Sequence, residues 1–137
     1  MQTGSRGILC AMIFGAHLLL YSTNPEADRN FFRDVLKFPV VDAGEGWLIF
    51  SMPPAEAGIH PIEGALSKDA GEQTLLGAVL YLMCDDLDAT ITSLKTKNVE
   101  CTEVQAAGWG RVTTILLPSG GKIGLYQPRH ATALSLK

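Results

Sequence analysis

The chain has 137 residues, of which 47% are hydrophobic and 18% charged, and its formal net charge is −3 at pH 7. This length and balance predict one globular domain with a sizeable core and exclude a disordered chain. The sequence carries no block rich in Lys and Arg, so we expect no nucleic-acid partner, because phosphate binding needs a concentrated basic surface.

An apolar run from Ile8 to Tyr21 follows Arg6, which is also the outline of a secretory signal. The run contains His17, lacks a small-x-small cleavage site and continues directly into a helix start. We therefore interpret its second half, His17 to Tyr21, as a strand buried on both faces. The run is too short to span a bilayer, so no membrane partner is expected. Residues 1–11 are interpreted as a flexible leader or a start-site artefact.

A helix start is predicted at Asn24-Pro25-Glu26, because Asn accepts hydrogen bonds from backbone N–H groups and Pro is tolerated in the first turn. Apolar residues then recur at helical spacing: Ala27, Phe31, Phe32, Val35 and Leu36. We expect this stripe to pack on the strand face that carries Leu18 and Leu20. The opposite face is then open to a cavity, and its residues are His17, Leu19 and Tyr21.

Shorter elements complete this first unit. Pro39 to Val41 is predicted to be extended, and Trp47 to Met52 is predicted as a second strand after the turn at Gly44-Glu45-Gly46. Two prolines end that strand, and Ala55 to His60 is predicted as a third. The small, polar and charged stretch that follows predicts a linker over residues 63–74.

The second unit begins with the same elements. Leu76 to Cys84 is predicted as its first strand, with one face formed by Val79, Tyr81 and Met83. Asp85-Asp86 is predicted to cap the next helix. Asn98 is predicted to end that helix in a left-handed conformation. The apolar stripe between them consists of Leu87, Ile91 and Leu94.

A hairpin completes the second unit. Val112 to Leu117 and Lys122 to Gln127 are predicted as strands, joined by a turn at Pro118-Ser119-Gly120-Gly121. Residues 129–137 lack periodicity and are predicted to be a surface tail.

The two units repeat one pattern, β-α-β-β-β, and superposing them sets His17 against Val79. We therefore predict an α+β fold of two βαβββ modules, residues 12–62 and 75–128. Each module is expected to form a mixed sheet with its helix on one face.

Several polar and sulfur-containing residues are interpreted structurally. Asp85-Asp86 looks like a catalytic pair, but helix capping explains it better. Ser119 to Lys122 resembles a phosphate loop only superficially, because no helix follows it. Cys84 is assigned to the core, and His60 and His130 to the surface. The cysteines form no CxxC motif, which predicts reduced thiols and a cytoplasmic protein; they are Cys10, Cys84 and Cys101.

Three stretches carry a resemblance to a known family: AHLLLYSTNPEADRNFFRDVLKFPV, LYLMCDDLDATITSLKTKNV and PSGGKIGLYQP. Together they resemble the vicinal oxygen chelate superfamily, which includes glyoxalase I, bleomycin-resistance proteins and extradiol dioxygenases. The likeness covers Phe14 to Pro128. It implies a cup-shaped cavity formed by paired modules and a homodimer that completes such cavities. In the enzymes of the family it also implies a divalent metal ion (Fe, Mn, Ni or Zn).

The resemblance places the family's metal-ligand positions on this chain one at a time. The first-strand positions fall on His17 and Val79. The last-strand position of the second module, the acid in a G-x-x-x-E-L pattern, falls on Gly124 in GGKIGLYQP. That of the first module falls on Ala57, or on Glu56 after a slip of one residue. A catalytic site needs about three protein ligands. With His17 and Glu56 as the candidates, we expect no bound metal; a divalent ion is the alternative.

The expected cavity lining is rich in aromatic and thioether groups, which suits an aromatic or planar organic ligand. Its predicted members are His17, Leu19, Tyr21, Trp47, Glu56, Val79, Tyr81, Met83, Trp109 and Tyr126. Gly108-Trp109-Gly110 is interpreted as a flexible bracket that carries a lid. We hypothesise a protein of the bleomycin-resistance type that binds its ligand without chemistry. The alternatives are a metal-dependent lyase or extradiol-type dioxygenase with His17 and Glu56 as ligands, and an interaction module without a small ligand.

Overall fold

A computed structural model of the chain describes residues 13–61, 77–134 and 136. In chain order its elements are α1 (Pro25–Asp34), β1 (Val40–Asp42), β2 (Leu48–Phe50), β3 (Tyr81–Met83), α2 (Leu87–Lys95), β4 (Gln105–Ala107), β5 (Gly110–Leu116) and β6 (Lys122–Pro128). The predicted leader, residues 1–11, and the predicted linker, residues 63–74, lie outside the described residues. Within the described ranges, no helix has the length and apolar character needed to cross a membrane.

Both helices begin where the sequence predicted. The side chain of Asn24 accepts a hydrogen bond from the backbone N–H of Ala27, at 3.3 Å. Asp86 does the same for Ala89, at 3.0 Å. Asn98 follows α2 with a φ of 62°, the left-handed conformation that ends many helices. The capping interpretation of Asp86 is therefore confirmed.

A four-stranded mixed sheet forms the larger part of the fold, in the order β3-β6-β5-β4. β3 is parallel to β6, whereas β6, β5 and β4 run antiparallel to their neighbours. The predicted hairpin between β5 and β6 is confirmed, and Leu117 N–H donates to the carbonyl of Gly121 across its turn, at 2.9 Å. β4 was not predicted, because its sequence, QAA, has no apolar alternation.

One hydrophobic core joins the helices to one face of this sheet. The buried residues of the core are Phe31 and Phe32 from α1, Leu87 and Leu94 from α2, Val99, and Ile115, Ile123 and Leu125 from the sheet. Because successive side chains of a strand point to opposite faces, Gly124 and Tyr126 lie on the other face. Neither described helix covers that face, and it holds the candidate site.

The first unit departs from its predicted form. Residues 13–22 and 51–61 contain no strand, and Leu18, Leu19 and Leu20 are exposed. The predictions of strands at His17 to Tyr21 and at Ala55 to His60 are therefore wrong. β1 and β2 form a separate antiparallel pair, with Val40 opposite Phe50. An apolar run indicates that a segment favours burial, but a strand also needs an edge to pair with, and the run does not specify that edge.

Asp28, in the first turns of α1, ties this helix to the β5–β6 turn. Its carboxylate accepts hydrogen bonds from the N–H and the hydroxyl of Ser119, at 3.1 and 2.7 Å. It also accepts one from the hydroxyl of Ser22, at 2.7 Å. Because Asp28 and Ser119 are 91 positions apart, this half-buried carboxylate holds distant parts of the chain together.

We expect Asp28→Asn to lower the free energy of unfolding by about 1 kcal/mol, because one of the two acceptor oxygens becomes a donor. Urea unfolding followed by circular dichroism measures the loss. Asp88→Asn is the matched control, since it removes an equal charge from an exposed pair with Arg111; surface pairs stabilise little. Equal effects of the two variants would contradict the tying role of Asp28.

Candidate functional site

The open face of the four-stranded sheet carries a recess of about 380 Å³. It lies over β4 and β5 and extends to the first residue of β3. Hydroxyl, amide and carboxylate groups make up much of its wall. The lining residues are Tyr81, Thr102, Glu103, Gln105, Val112, Thr113 and Thr114.

Three aromatic rings meet beside this recess, and we call them the aromatic corner: Tyr81, Trp109 and Tyr126. The ring centroids of Tyr81 and Tyr126 are 5.6 Å apart, those of Trp109 and Tyr126 5.4 Å, and those of Tyr81 and Trp109 6.4 Å. The interplanar angles are 85°, 77° and 72°, so each ring meets the other two edge to face. Tyr81 and Trp109 are 45% and 44% exposed, which leaves their outer surfaces open to a ligand.

The backbone at Gly110 fixes Trp109 in this corner. Gly110 is buried at the start of β5 with a φ of 155°, and a Cβ there would press against the carbonyl of Gln127 and lie 3.2 Å from Cα of Pro128. The carbonyl of Trp109 in turn accepts a hydrogen bond from the N–H of Arg129, at 2.8 Å. The prediction of a flexible bracket is therefore wrong for Gly110, because close approach of two strands is what requires this glycine.

The polar end of the aromatic corner joins the first unit to the tail. Glu56 Oε1 accepts a hydrogen bond from Ala133 N–H at 2.7 Å, and Glu56 Oε2 lies 3.9 Å from His130 Nε2. The same Nε2 lies 3.1 Å from the hydroxyl of Tyr126, and the His130 ring stacks on the Tyr126 ring with 6.0 Å between centroids. The described residues of the tail are exposed, and one of them, His130, also contacts the site.

The surroundings of Tyr126 raise the pKa of its phenol above the ordinary value. Burial, which disfavours the phenolate, is the largest cause; the negative charge of Glu56 and the neighbouring Tyr81 act in the same direction. Because the folded chain binds this proton more tightly than the unfolded chain does, the group's contribution to stability is present below the ordinary tyrosine pKa. That contribution is lost as the pH rises through the folded value.

We expect absorbance titration of the phenols to show a late step that disappears in Tyr126→Phe. Glu56→Gln should move this step to lower pH without abolishing the shift, since burial is the larger cause. Glu100→Gln, at an exposed position, is the control and should leave the step in place. A late step that survives in Tyr126→Phe would assign the shift to another tyrosine.

The resemblance sets Gly124 at the family's carboxylate position in the second module, and an aromatic ring packs against this glycine. Tyr81 and Gly124 are paired across β3 and β6, and a Cβ built on Gly124 would fall within the ring of Tyr81. Val79, at the other position of this module, has no metal-binding atom. Within residues 13–61 and 77–134, no three His, Cys, Asp or Glu side chains are grouped as metal ligands. Gly124 and Val79 therefore do not fit the family's metal ion.

The remaining predicted site residues are not brought into the aromatic corner by any hydrogen bond or ring contact of the described residues. His17, Leu19, Tyr21 and Val79 are exposed in segments without secondary structure. Trp47 lies against α1, with the Arg29 guanidinium 5.0 Å from its ring centroid. Met83 is half-buried and lies opposite Tyr126 in the parallel ladder. His130 was assigned to the surface, where it lies, and its contact with Tyr126 had no signal in the sequence.

Cys84 and Cys101 have free thiols, and both are half-buried. Burial is the largest cause that raises the pKa of each thiol, which disfavours the nucleophilic thiolate. Cys84 packs beside the core, and its Sγ lies 3.6 Å from the carbonyl of Tyr126. These surroundings support the assignment of Cys84 to the core.

Comparison with models of known protein families gives a match over most of the chain. The family model of the Glyoxalase/Bleomycin resistance protein/Dioxygenase superfamily matches residues 16–125. No curated protein sequence matches the chain at a significant level.

Several solved structures share the fold. TnmS3, an antibiotic binding protein from Streptomyces sp. CB03234, is 22% identical, over 85% of this chain and 98% of its own, with a TM-score of 0.55. Lactoylglutathione lyase from Agrobacterium tumefaciens is 16% identical, over 83% of this chain and 93% of its own, with a TM-score of 0.56. A glyoxylase/bleomycin resistance protein/dioxygenase domain from Frankia sp. EAN1pec is 12% identical, over 80% of this chain and 87% of its own, with a TM-score of 0.50. At these identities the likeness shows the fold alone.

Proposed function

The chain belongs to the glyoxalase/bleomycin resistance protein/dioxygenase superfamily, and we propose that it binds a small aromatic or planar organic molecule without metal catalysis. The ligand lies on the open face of the sheet, against the aromatic corner and the adjoining recess. The superfamily hosts both binding proteins and enzymes, so the residues of this site, and not the fold, support the function.

The contact between Tyr81 and Gly124 carries this proposal. In the metal-binding members that the sequence resembles, the position of Gly124 holds a carboxylate. Here a tyrosine ring packs over a glycine that has room for no side chain. The exchange replaces a charged, metal-coordinating side chain with an apolar ring surface. Such a surface suits the face of a planar molecule better than a divalent ion.

The arrangement of polar groups supports a ligand that is held in one orientation. Tyr81 and Trp109 offer half-exposed ring surfaces, and the threonine hydroxyls and Gln105 line the recess beside them. Apolar walls with a few placed polar groups are typical of small-molecule sites.

A thermal-shift screen of planar aromatic compounds, run with and without Fe, Mn, Ni or Zn ions, tests this function. We expect some aromatic compounds to raise the unfolding temperature equally in both conditions, because a ligand that binds only the folded state stabilises it. If the protein is instead a metal-dependent lyase or dioxygenase, its unfolding temperature should respond to the metal ion. In that case metal alone would stabilise the protein, and His17→Ala would abolish the effect.

We also infer a homodimer of cytoplasmic location. Large apolar side chains are exposed along residues 13–21, and contiguous apolar surface of this kind is typical of interaction sites. A second copy would cover them. The free thiols of Cys84 and Cys101 support a reducing compartment. Sedimentation equilibrium measures the mass, and a monomer at micromolar concentration would contradict the dimer.

A further inference from the structure

The carboxylate of Glu56 is held at the edge of the aromatic corner by the tail. Its Oε1 accepts the Ala133 N–H at 2.7 Å. Its Oε2 is 3.9 Å from His130 Nε2, beyond hydrogen-bond distance. The side chain of Glu56 is only 18% exposed, so its charge is partly shielded from water and interacts more strongly with a nearby charge.

The hydrogen bonds of His130 decide which atoms of this edge are left to a ligand. His130 Nδ1 lies 2.8 Å from the carbonyl of Ala131, and a carbonyl only accepts, so Nδ1 carries the hydrogen. In the neutral imidazole, Nε2 is then the acceptor, and the Tyr126 hydroxyl donates to it at 3.1 Å. The Tyr126 oxygen keeps lone pairs that can accept. The edge therefore presents two acceptors, the phenol oxygen of Tyr126 and Oε2 of Glu56.

The ring faces of the corner favour a cationic ligand. An aromatic face is the negative end of the ring quadrupole and attracts a cation within about 6 Å. The three rings of the corner meet at interplanar angles of 72° to 85°. Ring faces that point in different directions therefore surround the same small volume. Glu103 adds a second carboxylate to the wall of the adjoining recess, and two negative charges oppose an anionic ligand.

We propose that the ligand of the aromatic corner carries a protonated amino group on its planar ring system. The ammonium donates hydrogen bonds to Glu56 Oε2 and Tyr126 Oη, and the ring lies against Tyr81 and Trp109. This inference rests on the proposed function, and it adds the charge and the hydrogen-bond character of the ligand. Ala133 and His130 are positioning residues, because they hold Glu56 and Tyr126 in place.

Three compounds of one ring system test the charge: naphthylmethylamine, naphthylmethanol and naphthoate, which are positive, neutral and negative. Equilibrium dialysis against the full chain measures the affinity of each. We expect the amine to bind roughly tenfold more tightly than the alcohol, the size of one charge-assisted hydrogen bond, and the naphthoate to bind most weakly.

Glu56→Gln should remove the preference for the amine, because the amide can still accept from Ala133 N–H but has no charge. Glu100→Gln removes an equal charge from an exposed position that pairs with Leu116, at the other end of β5 from Trp109, and should preserve the preference. Circular dichroism and the unfolding temperature establish that both variants fold.

The outcomes separate this inference from the proposed function. Equal binding of the three compounds, or a preference that survives in Glu56→Gln, overturns the cationic ligand and leaves the binding function standing. Binding of none of the three contradicts both. A preference that is lost in Glu56→Gln and kept in Glu100→Gln supports both.

Discussion

Gly124→Glu is expected to lower the free energy of unfolding by about 3 kcal/mol and to produce no metal site. The variant puts a carboxylate at the position where the resemblance expects the family's metal-binding acid. However, any side chain there must displace the Tyr81 ring, which is packed over Gly124 in the adjacent strand. The displaced ring would also lose its edge-to-face contacts with Tyr126 and Trp109. Urea unfolding measures the cost, and thermal shift with divalent ions measures metal binding.

Two further variants isolate the cause of that loss. Thr114→Glu is the matched control, because Thr114 lies opposite Gly124 in the β5–β6 ladder and places an equal charge on the same sheet face. We expect it to destabilise less. Gly124→Glu combined with Tyr81→Ala should recover part of the stability, since the ring no longer competes for space. A stable single variant with an unfolding temperature that rises on adding metal would refute the argument.

Trp109→Ala is expected to weaken ligand binding by roughly 30-fold, or about 2 kcal/mol, because a half-exposed indole in a small cluster has the character of a binding hot spot. The strongest compound of the thermal-shift screen is the probe, and equilibrium dialysis gives its affinity. Some loss of stability accompanies the change, because the indole also packs on Tyr126. The measurement therefore belongs well below the unfolding temperature of the variant.

Trp47→Ala is the matched control for this experiment. Trp47 is the other tryptophan of the chain, and the guanidinium of Arg29 on α1 lies over its ring. We expect its removal to leave the affinity within about twofold, a difference well under 1 kcal/mol. If Trp47→Ala weakened binding as much as Trp109→Ala, the ligand would lie against the first unit instead of the sheet face.

The sequence predicted part of the candidate site. Strand alternation placed Tyr81 and Tyr126 on one face, and the structure brings both into the aromatic corner with Trp109. Alternation is local, so it holds wherever the strand forms. The same reasoning placed His17, Leu19 and Tyr21 on a cavity face, but their segment forms no strand. Their membership of the site stays a prediction that depends on a pairing edge outside the described residues of this chain.

By itself the sequence determined the helices, their caps and the β5–β6 hairpin, because Asn24, Asp86, Asn98 and the Pro-Ser-Gly-Gly turn act over a few residues. It also has a glycine, Gly124, where the resemblance expects a metal ligand of the family. Only the tertiary structure decided that the Tyr81 ring fills that place, and that the tail brings His130 and Ala133 to Glu56. Such contacts join residues 43 to 77 positions apart, and no local pattern specifies which distant residues will meet.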